Sequence, residues 1–215
     1  MDQKLLFLIN REWTSPAADR LMALLSSWDA WFLPALALGL FLGIKGGFRG
    51  RAFLLTLGLV LAVNDGVMAK SLKRLVDRPR PHQAISEVRV VDLGKAKPRL
   101  AAILKKPKVK LSRAELGEVE GRSFPSSHTV NMFSAALVAF CFYGRRVWWG
   151  FLLAGAVAYS RIYTGAHFPS DVVTSIFLGL GATLLLLLGL ELLWRRRGET
   201  WLPQVYARHP SLFAA

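Results

Sequence analysis

Residues 147–193 read VWWGFLLAGAVAYSRIYTGAHFPSDVVTSIFLGLGATLLLLLGLELL. Two apolar runs, 147–160 and 172–193, flank a polar link at 160–171, SRIYTGAHFPSD. An apolar run of about 20 residues suits a helix crossing about 30 Å of hydrocarbon. The link then lies where two such helices meet water, and it gathers Arg161, His167 and Asp171 there. The same pairing of an oily helix with a chemically loaded end recurs along the rest of the chain.

Further apolar runs occupy 29–44, 52–69 and 129–143. Apolar residues make up 53% of the 215 and mean hydropathy is +0.36, concentrated in blocks. The expected fold is all-α: a polytopic membrane bundle of about five to six transmembrane helices. Several runs are shorter than a full span, so their polar ends must add helical turns that face protein or the lipid interface. Residues 1–27 mix apolar and charged positions and read as a short interfacial helix with a lead-in to the first span. The membrane-embedded domain is 28–199, and 200–215 form a tail. Residues 82–122 are basic and proline-punctuated, with VRVVDL as one candidate strand; a loosely structured segment outside the bilayer is expected. Asn64 and Asp65 are costly at mid-membrane, so they belong near its edge or toward a protein interior.

The net charge is +14, and half of the 28 lysines and arginines lie within residues 71–127. No nucleic-acid reader motif accompanies them, and much of the charge sits beside spans, so anionic lipid headgroups are the fitting partner and nucleic acid is not. The single cysteine, Cys141, lies in an apolar run, which excludes an intramolecular disulfide and a thiolate metal cluster. The apolar core LLFLI near the N-terminus is too short for a cleaved signal peptide. Lys45, Arg49 and Arg51, then Arg145 and Arg146, then Arg195, Arg196 and Arg197 follow alternate spans. The positive-inside rule makes that side cytoplasmic and turns the opposite ends outward. The basic 82–122 segment argues the reverse, but the rule is strongest beside span ends.

Those outward ends carry three motifs: KRLVDRPRP at 73–81, PSSH at 125–128 and SRIYTGAHFPSD at 160–171. The third apolar run leaves the motif side and the fourth returns to it, bringing Arg161 and His167 back to the face that holds His128. The second run delivers Lys73 and Arg80 there. Lys73, Arg80 and Arg161 suit the equatorial oxygens of a phosphoryl group. Pro79 and Pro81 fix an extended turn that aims Arg80. Ser126 and Ser127 open a helix whose first N–H groups suit an anion. Asp171, four residues after His167, is placed to orient that imidazole. Each element alone has a bland counterpart: a capping serine, a capping aspartate, a juxtamembrane basic belt. Lys70, Arg74 and Arg78 read as that belt.

At these residues the chain resembles the membrane branch of the type 2 phosphatidic acid phosphatase superfamily, whose soluble relatives include vanadium-dependent haloperoxidases. The family pattern is Lys, six residues, Arg-Pro; then Pro-Ser-Gly-His; then Ser-Arg, five residues, His, three residues, Asp. Lys73 with Arg80-Pro81 matches the first part, and Ser160-Arg161, His167 and Asp171 match the third. Pro125-Ser126-Ser127-His128 matches the second, with Ser127 where glycine is usual. The likeness covers about residues 20–193. It implies a hydrolase that needs no metal or other cofactor: His167 as nucleophile forming a phosphohistidine, Asp171 hydrogen-bonded behind it, His128 as general acid and later base. Lys73, Arg80, Ser126, Ser127 and Arg161 would form the phosphate cradle. It also implies a phosphorylated lipid substrate in a bacterial cytoplasmic (inner) membrane. Undecaprenyl diphosphate is the leading expectation; phosphatidic acid, phosphatidylglycerol phosphate and a lipid A phosphate are the alternatives. A transporter is the non-enzymatic rival, but it has no need of two histidines, a carboxylate and three cations on one water face.

Overall fold

The computed structural model describes residues 1–94, 97–113 and 121–213. Helix α1 (Asp2–Phe7) runs into a π turn at Leu8–Glu12. Ser15 then opens α2 (Pro16–Ser26): its hydroxyl accepts the Ala18 N–H, and Pro16 occupies the first helical turn, where no N–H is missed. Ser27 ends α2 and caps α3 (Trp28–Lys45) by accepting the Ala30 N–H. Gly47, at φ +59, turns the chain into α4 (Gly47–Val63), a conformation in which any other residue is strained. A π turn at Asn64–Ala69 links α4 to α5 (Lys70–Val76), which stops at left-handed Asp77. Short α6 (Pro81–Ala84) follows. The remaining helices are α7 (Ser127–Tyr143), α8 (Trp149–Tyr163), α9 (Pro169–Trp201) and α10 (Pro203–Arg208).

The result is an all-α bundle carrying one two-stranded sheet. Helix α7 sits centrally, packed against α4, α8 and α9. Among the described residues three stretches, Trp28–Lys45, Gly47–Ala84 and Pro169–Trp201, are long and apolar enough to cross a membrane. At 1.5 Å per residue, the 18 residues of α3 extend about 27 Å. No residue of α3 is buried, and Leu36, Leu38, Leu40, Phe41 and Ile44 are exposed along it. Such a face is stable beside hydrocarbon, not water. Helices α7 and α8, with 17 and 15 residues, fall short of a full span. The third and fourth runs are thus shorter helices, α7 packed among α4, α8 and α9, and α8 packed on α7 and α2 with Trp149 and Leu152 exposed.

Two apolar clusters divide the molecule. Phe53, Val60, Val138, Phe142 and Leu187 pack at one end. There Phe48, at the α3–α4 turn, stacks on His209 with ring centroids 4.3 Å apart and lies 6.0 Å from Trp194. The Trp194 indole N–H donates to the His209 carbonyl, so the chain after α10 folds back onto α9. The other cluster joins Leu6, Ile9 and Ala23 to Val88, Val91 and Leu93, and to Phe133, Ile162, Tyr163 and Phe168. Between the clusters, the Asn64 amide donates to Ser134 Oγ and Thr183 Oγ1, each at 2.9 Å, tying α4, α7 and α9 through fully buried polar groups.

The 82–122 segment departs from expectation. Its described part is ordered. Strand β1 (Arg89–Asp92) pairs antiparallel with β2 (Lys108–Leu111), Arg89 facing Leu111. Val88, Val91 and Leu93 enter the core, so a few apolar positions anchor a segment whose overall composition is basic. The N-terminal residues also pack inward as two helices. Asn10, fully buried, donates to the carbonyls of Arg89 and Tyr163. Asp19 accepts from Arg89 at 2.8 Å and from the Tyr163 hydroxyl at 2.7 Å. Strand β1 is thereby locked to the end of α8.

Gly165 lies in the turn after α8, at φ +70, where a Cβ would stand 2.6 Å from the Arg89 carbonyl oxygen and 2.7 Å from Val88. Gly165→Ala is expected to destabilise the fold by about 2 kcal/mol. It should lower the midpoint of thermal unfolding in detergent; an unchanged midpoint would contradict this packing.

Candidate functional site

The site forms where the ends of α5, α7, α8 and α9 meet. Helix α7 begins at Ser127, so His128 sits in its first turn. Lys73, in the last turn of α5, donates from Nζ to Ser127 Oγ at 2.7 Å. Arg161 lies in the last turn of α8 and donates to Ser26 Oγ at the end of α2. The Thr164 hydroxyl and N–H both bond the Ser160 carbonyl, ending α8 cleanly before the loop that carries His167.

A polar chamber of about 340 Å³ is lined by Arg80, His82, Asp92, Arg161, Thr164 and the serines Ser26 and Ser27. The Nε atoms of both Arg80 and Arg161 are buried and, among the described residues, have no hydrogen-bond partner. Two desolvated guanidinium donors without acceptors are costly in isolation and suit an anion. A neighbouring groove of about 370 Å³ shares Ser27 with this chamber. Its walls include Ser127 and His128 and the apolar residues Leu25, Trp28, Trp31, Met132 and Val157.

His167 is 3% exposed. Burial pushes its pKa well below the ordinary histidine value, and the charges of Arg161 and Arg80 lower it further. Its Nδ1 faces the Ser123 carbonyl oxygen. A carbonyl only accepts, so Nδ1 carries the proton and Nε2 keeps its lone pair.

Here the geometry corrects the sequence reading. Asp171 does not bond His167. It is fully buried: Oδ1 accepts from Arg78 at 2.6 Å, and Oδ2 accepts from the Ser123 hydroxyl and from the Phe168 N–H at 3.1 Å. The Ser123 N–H in turn donates to the Arg78 carbonyl at 2.7 Å. Asp171 therefore holds Ser123, and Ser123 holds His167. Arg78 is a member of this network, not a belt residue. It also reaches Asp2 at 2.8 Å and stacks over the Phe168 ring at 4.0 Å.

Ser126 faces into the bundle. It is fully buried, its N–H donates to Ser175 Oγ at 2.8 Å, and its hydroxyl accepts from Thr129. It supports the start of α7 and does not line the chamber. Ser127 stands in the groove with an ordinary helical backbone, which is why a side chain is accommodated where the related pattern has glycine. Lys73, Arg80, Ser127, His128, Arg161 and His167 are brought together. Sequence reasoning missed Ser26, Ser27, Ser123 and Arg78. Only Arg78 left a signal, its place directly before Pro79 and two residues before Arg80.

Comparisons with known proteins point the same way. The model of the PAP2 superfamily matches residues 52–195. The Bacillus licheniformis protein named bacitracin transport permease BcrC is 44% identical over 57 residues, 26% of this chain and 28% of that one. YbjG of Escherichia coli K12, named as an undecaprenyl-diphosphatase, is 33% identical over 95 residues, 43% and 45% of the two chains. Lipid A 4'-phosphatase of Bacteroides thetaiotaomicron is 31% identical over 86 residues, 39% and 38%. The chain thus spans less than half the length of these curated relatives. The crystal structure of Aquifex aeolicus LpxE superposes with a TM-score of 0.61 at 24% identity, covering 86% of this chain and 94% of that one.

Asp171→Ala is expected to lower kcat about 100-fold with little change in KM, because it acts through the position of His167. Ser123→Ala, which keeps the carbonyl but loses the hydroxyl, should cost about tenfold. Equal losses in the two variants would contradict a relay through the Ser123 main chain. The acid limb of the kcat/KM profile should fall below pH 6.5, since His167 stays neutral to a lower pH than a free histidine.

Proposed function

We propose that this chain, which belongs to the PAP2 superfamily, hydrolyses a phosphate carried by a membrane lipid, without a metal, through a phosphohistidine. The observation that carries this reading is the fixed Nδ1 of His167 beside two guanidinium groups whose Nε donors lack partners among the described residues. His167 Nε2 attacks phosphorus. Arg80, Arg161 and Lys73 bind the phosphoryl oxygens and stabilise the charge they gain at the transition state. Ser127, held by Lys73, adds a hydroxyl to the cradle. His128 donates a proton to the departing oxygen, and the lipid alcohol leaves. Water then attacks the phosphohistidine, with His128 now accepting a proton, and inorganic phosphate is released. A bound phosphate favours the imidazolium form that His128 needs for the first step.

The substrate we favour is a lipid phosphomonoester: phosphatidic acid, phosphatidylglycerol phosphate or a lipid A phosphate. The apolar groove beside His128 supports a lipid leaving group. The name of YbjG favours undecaprenyl diphosphate as a second reading. The three tight Lys/Arg clusters at the far end support a cytoplasmic placement of that end and an outward-facing site.

Purified protein in detergent should release phosphate from at least one of these lipids in the presence of a chelator. His167→Ala should abolish release and form no phosphoenzyme, whereas His128→Ala should slow both the formation and the hydrolysis of an acid-labile phosphohistidine. Vanadate should inhibit competitively, as a mimic of the transferring group. Turnover by both histidine variants at the wild-type rate would sink the assignment.

A further inference from the structure

The groove next to His128 has a polar edge that the proposed chemistry does not use. Asp65 and Asn131 both line it together with Ser27, Ser127 and His128. Asp65 lies in the π turn between α4 and α5, and π turns inside helices often mark functional positions. In that turn Asp65 borders the groove while neighbouring Asn64 is buried in the bundle. The Asp65 charge is felt at both Lys73 and His128. Asn131 Oδ1 is buried and, among the described residues, has no hydrogen-bond partner. The edge therefore offers a carboxylate and an amide oxygen, both acceptors.

In-line displacement fixes what these acceptors meet. With His167 attacking from one side of phosphorus, the departing oxygen lies on the opposite side, next to His128. The P–O bond breaks, His128 gives its proton to that oxygen, and the leaving group is freed as a neutral alcohol. Whatever is attached to that oxygen occupies the groove. Hydrocarbon fits against Trp28, Trp31, Leu25, Met132 and Val157, while the atoms nearest the phosphate pass Asp65 and Asn131. A leaving alcohol bearing free hydroxyls donates to both acceptors. A leaving phosphate, as from a diphosphate, brings negative charge and acceptors to a carboxylate and an amide oxygen, and both contacts are unfavourable.

We propose that Asp65 and Asn131 form a leaving-group subsite that selects lipid phosphomonoesters whose leaving alcohol carries free hydroxyls, such as a glycerol or a sugar, and disfavours diphosphates. This rests on the assignment of His128 as the general acid. It separates the candidate substrates by the chemistry of the departing group: phosphatidylglycerol phosphate and a sugar-linked lipid phosphate offer hydroxyls there, phosphatidic acid offers none, and undecaprenyl diphosphate offers a charge.

The test compares kcat/KM on all four lipids in mixed micelles, using one preparation of the full chain. Wild type should prefer a hydroxyl-bearing substrate to undecaprenyl diphosphate by at least about tenfold, and the glycerol and sugar arms identify which alcohol is taken. Asp65→Asn should narrow the ratio to the diphosphate by about tenfold. Asn131→Leu should narrow the ratio of the hydroxyl-bearing substrate to phosphatidic acid by about fivefold. Competitive inhibition by vanadate in both variants shows that the phosphate cradle is intact. Wild type that cleaves the diphosphate as fast as the others overturns the subsite while leaving the phosphatase reading standing. So do variants that lower every rate by the same factor. Release of phosphate from none of the four lipids overturns both.

Discussion

A carboxylate with no exposure to solvent has to be matched by donors, and the site is built around that requirement at Asp171. Its donors come from three separate parts of the chain: Arg78 after α5, Ser123 before α7 and the Phe168 N–H at the start of α9. Satisfying one buried charge therefore fixes the relative positions of three segments that the bundle would otherwise hold only by packing. All three segments lead to groups of the site. Arg80 follows Arg78 by two residues, and His128 follows Ser123 by five. The third carries His167, which receives its orientation from the Ser123 carbonyl.

The N-terminal helices and the β hairpin complete the arrangement from outside. Asp2 accepts from the Ser170 N–H and from Arg78, so α1 closes over the network at the start of α9. Asn10 and Asp19 lock β1 to the end of α8, which keeps the turn before His167 in place. Ser26, at the junction of α2 and α3, meets Arg161 directly. A functional side chain at a helix end is precise only if its supports are rigid. Here those supports are drawn from residues distant in sequence.

That distance explains what could be read in advance. The apolar runs announced the helices because periodicity and length are local properties. Lys73, Arg80, His128, Arg161 and His167 were legible because their residue types and spacing match one chemistry. Asp171 was legible as a participant but not in its partner: four-residue spacing permits contact with His167, yet Phe168 and Pro169 turn the chain so that the carboxylate caps its own helix and meets Arg78. Ser126 shows the same limit, since its residue type suits a phosphate but its helix start points it into the bundle. The order in the described part of residues 82–122 was hidden because a few buried apolar residues, Val88, Val91, Leu93 and Ala102, set it amid many charges. The fate of Ser26 and Ser123 depends wholly on tertiary neighbours.

Helix α3 has no buried residue, yet Trp28 and Trp31 at its start line the groove beside His128. One wall of the reaction space is therefore a helix whose other faces belong to the surrounding amphiphile. On the proposed function, the composition of that amphiphile becomes a component of the catalyst. Chain length, headgroup charge and bilayer thickness are then variables of turnover in their own right, to be controlled as strictly as pH or salt when rates on different lipids are compared.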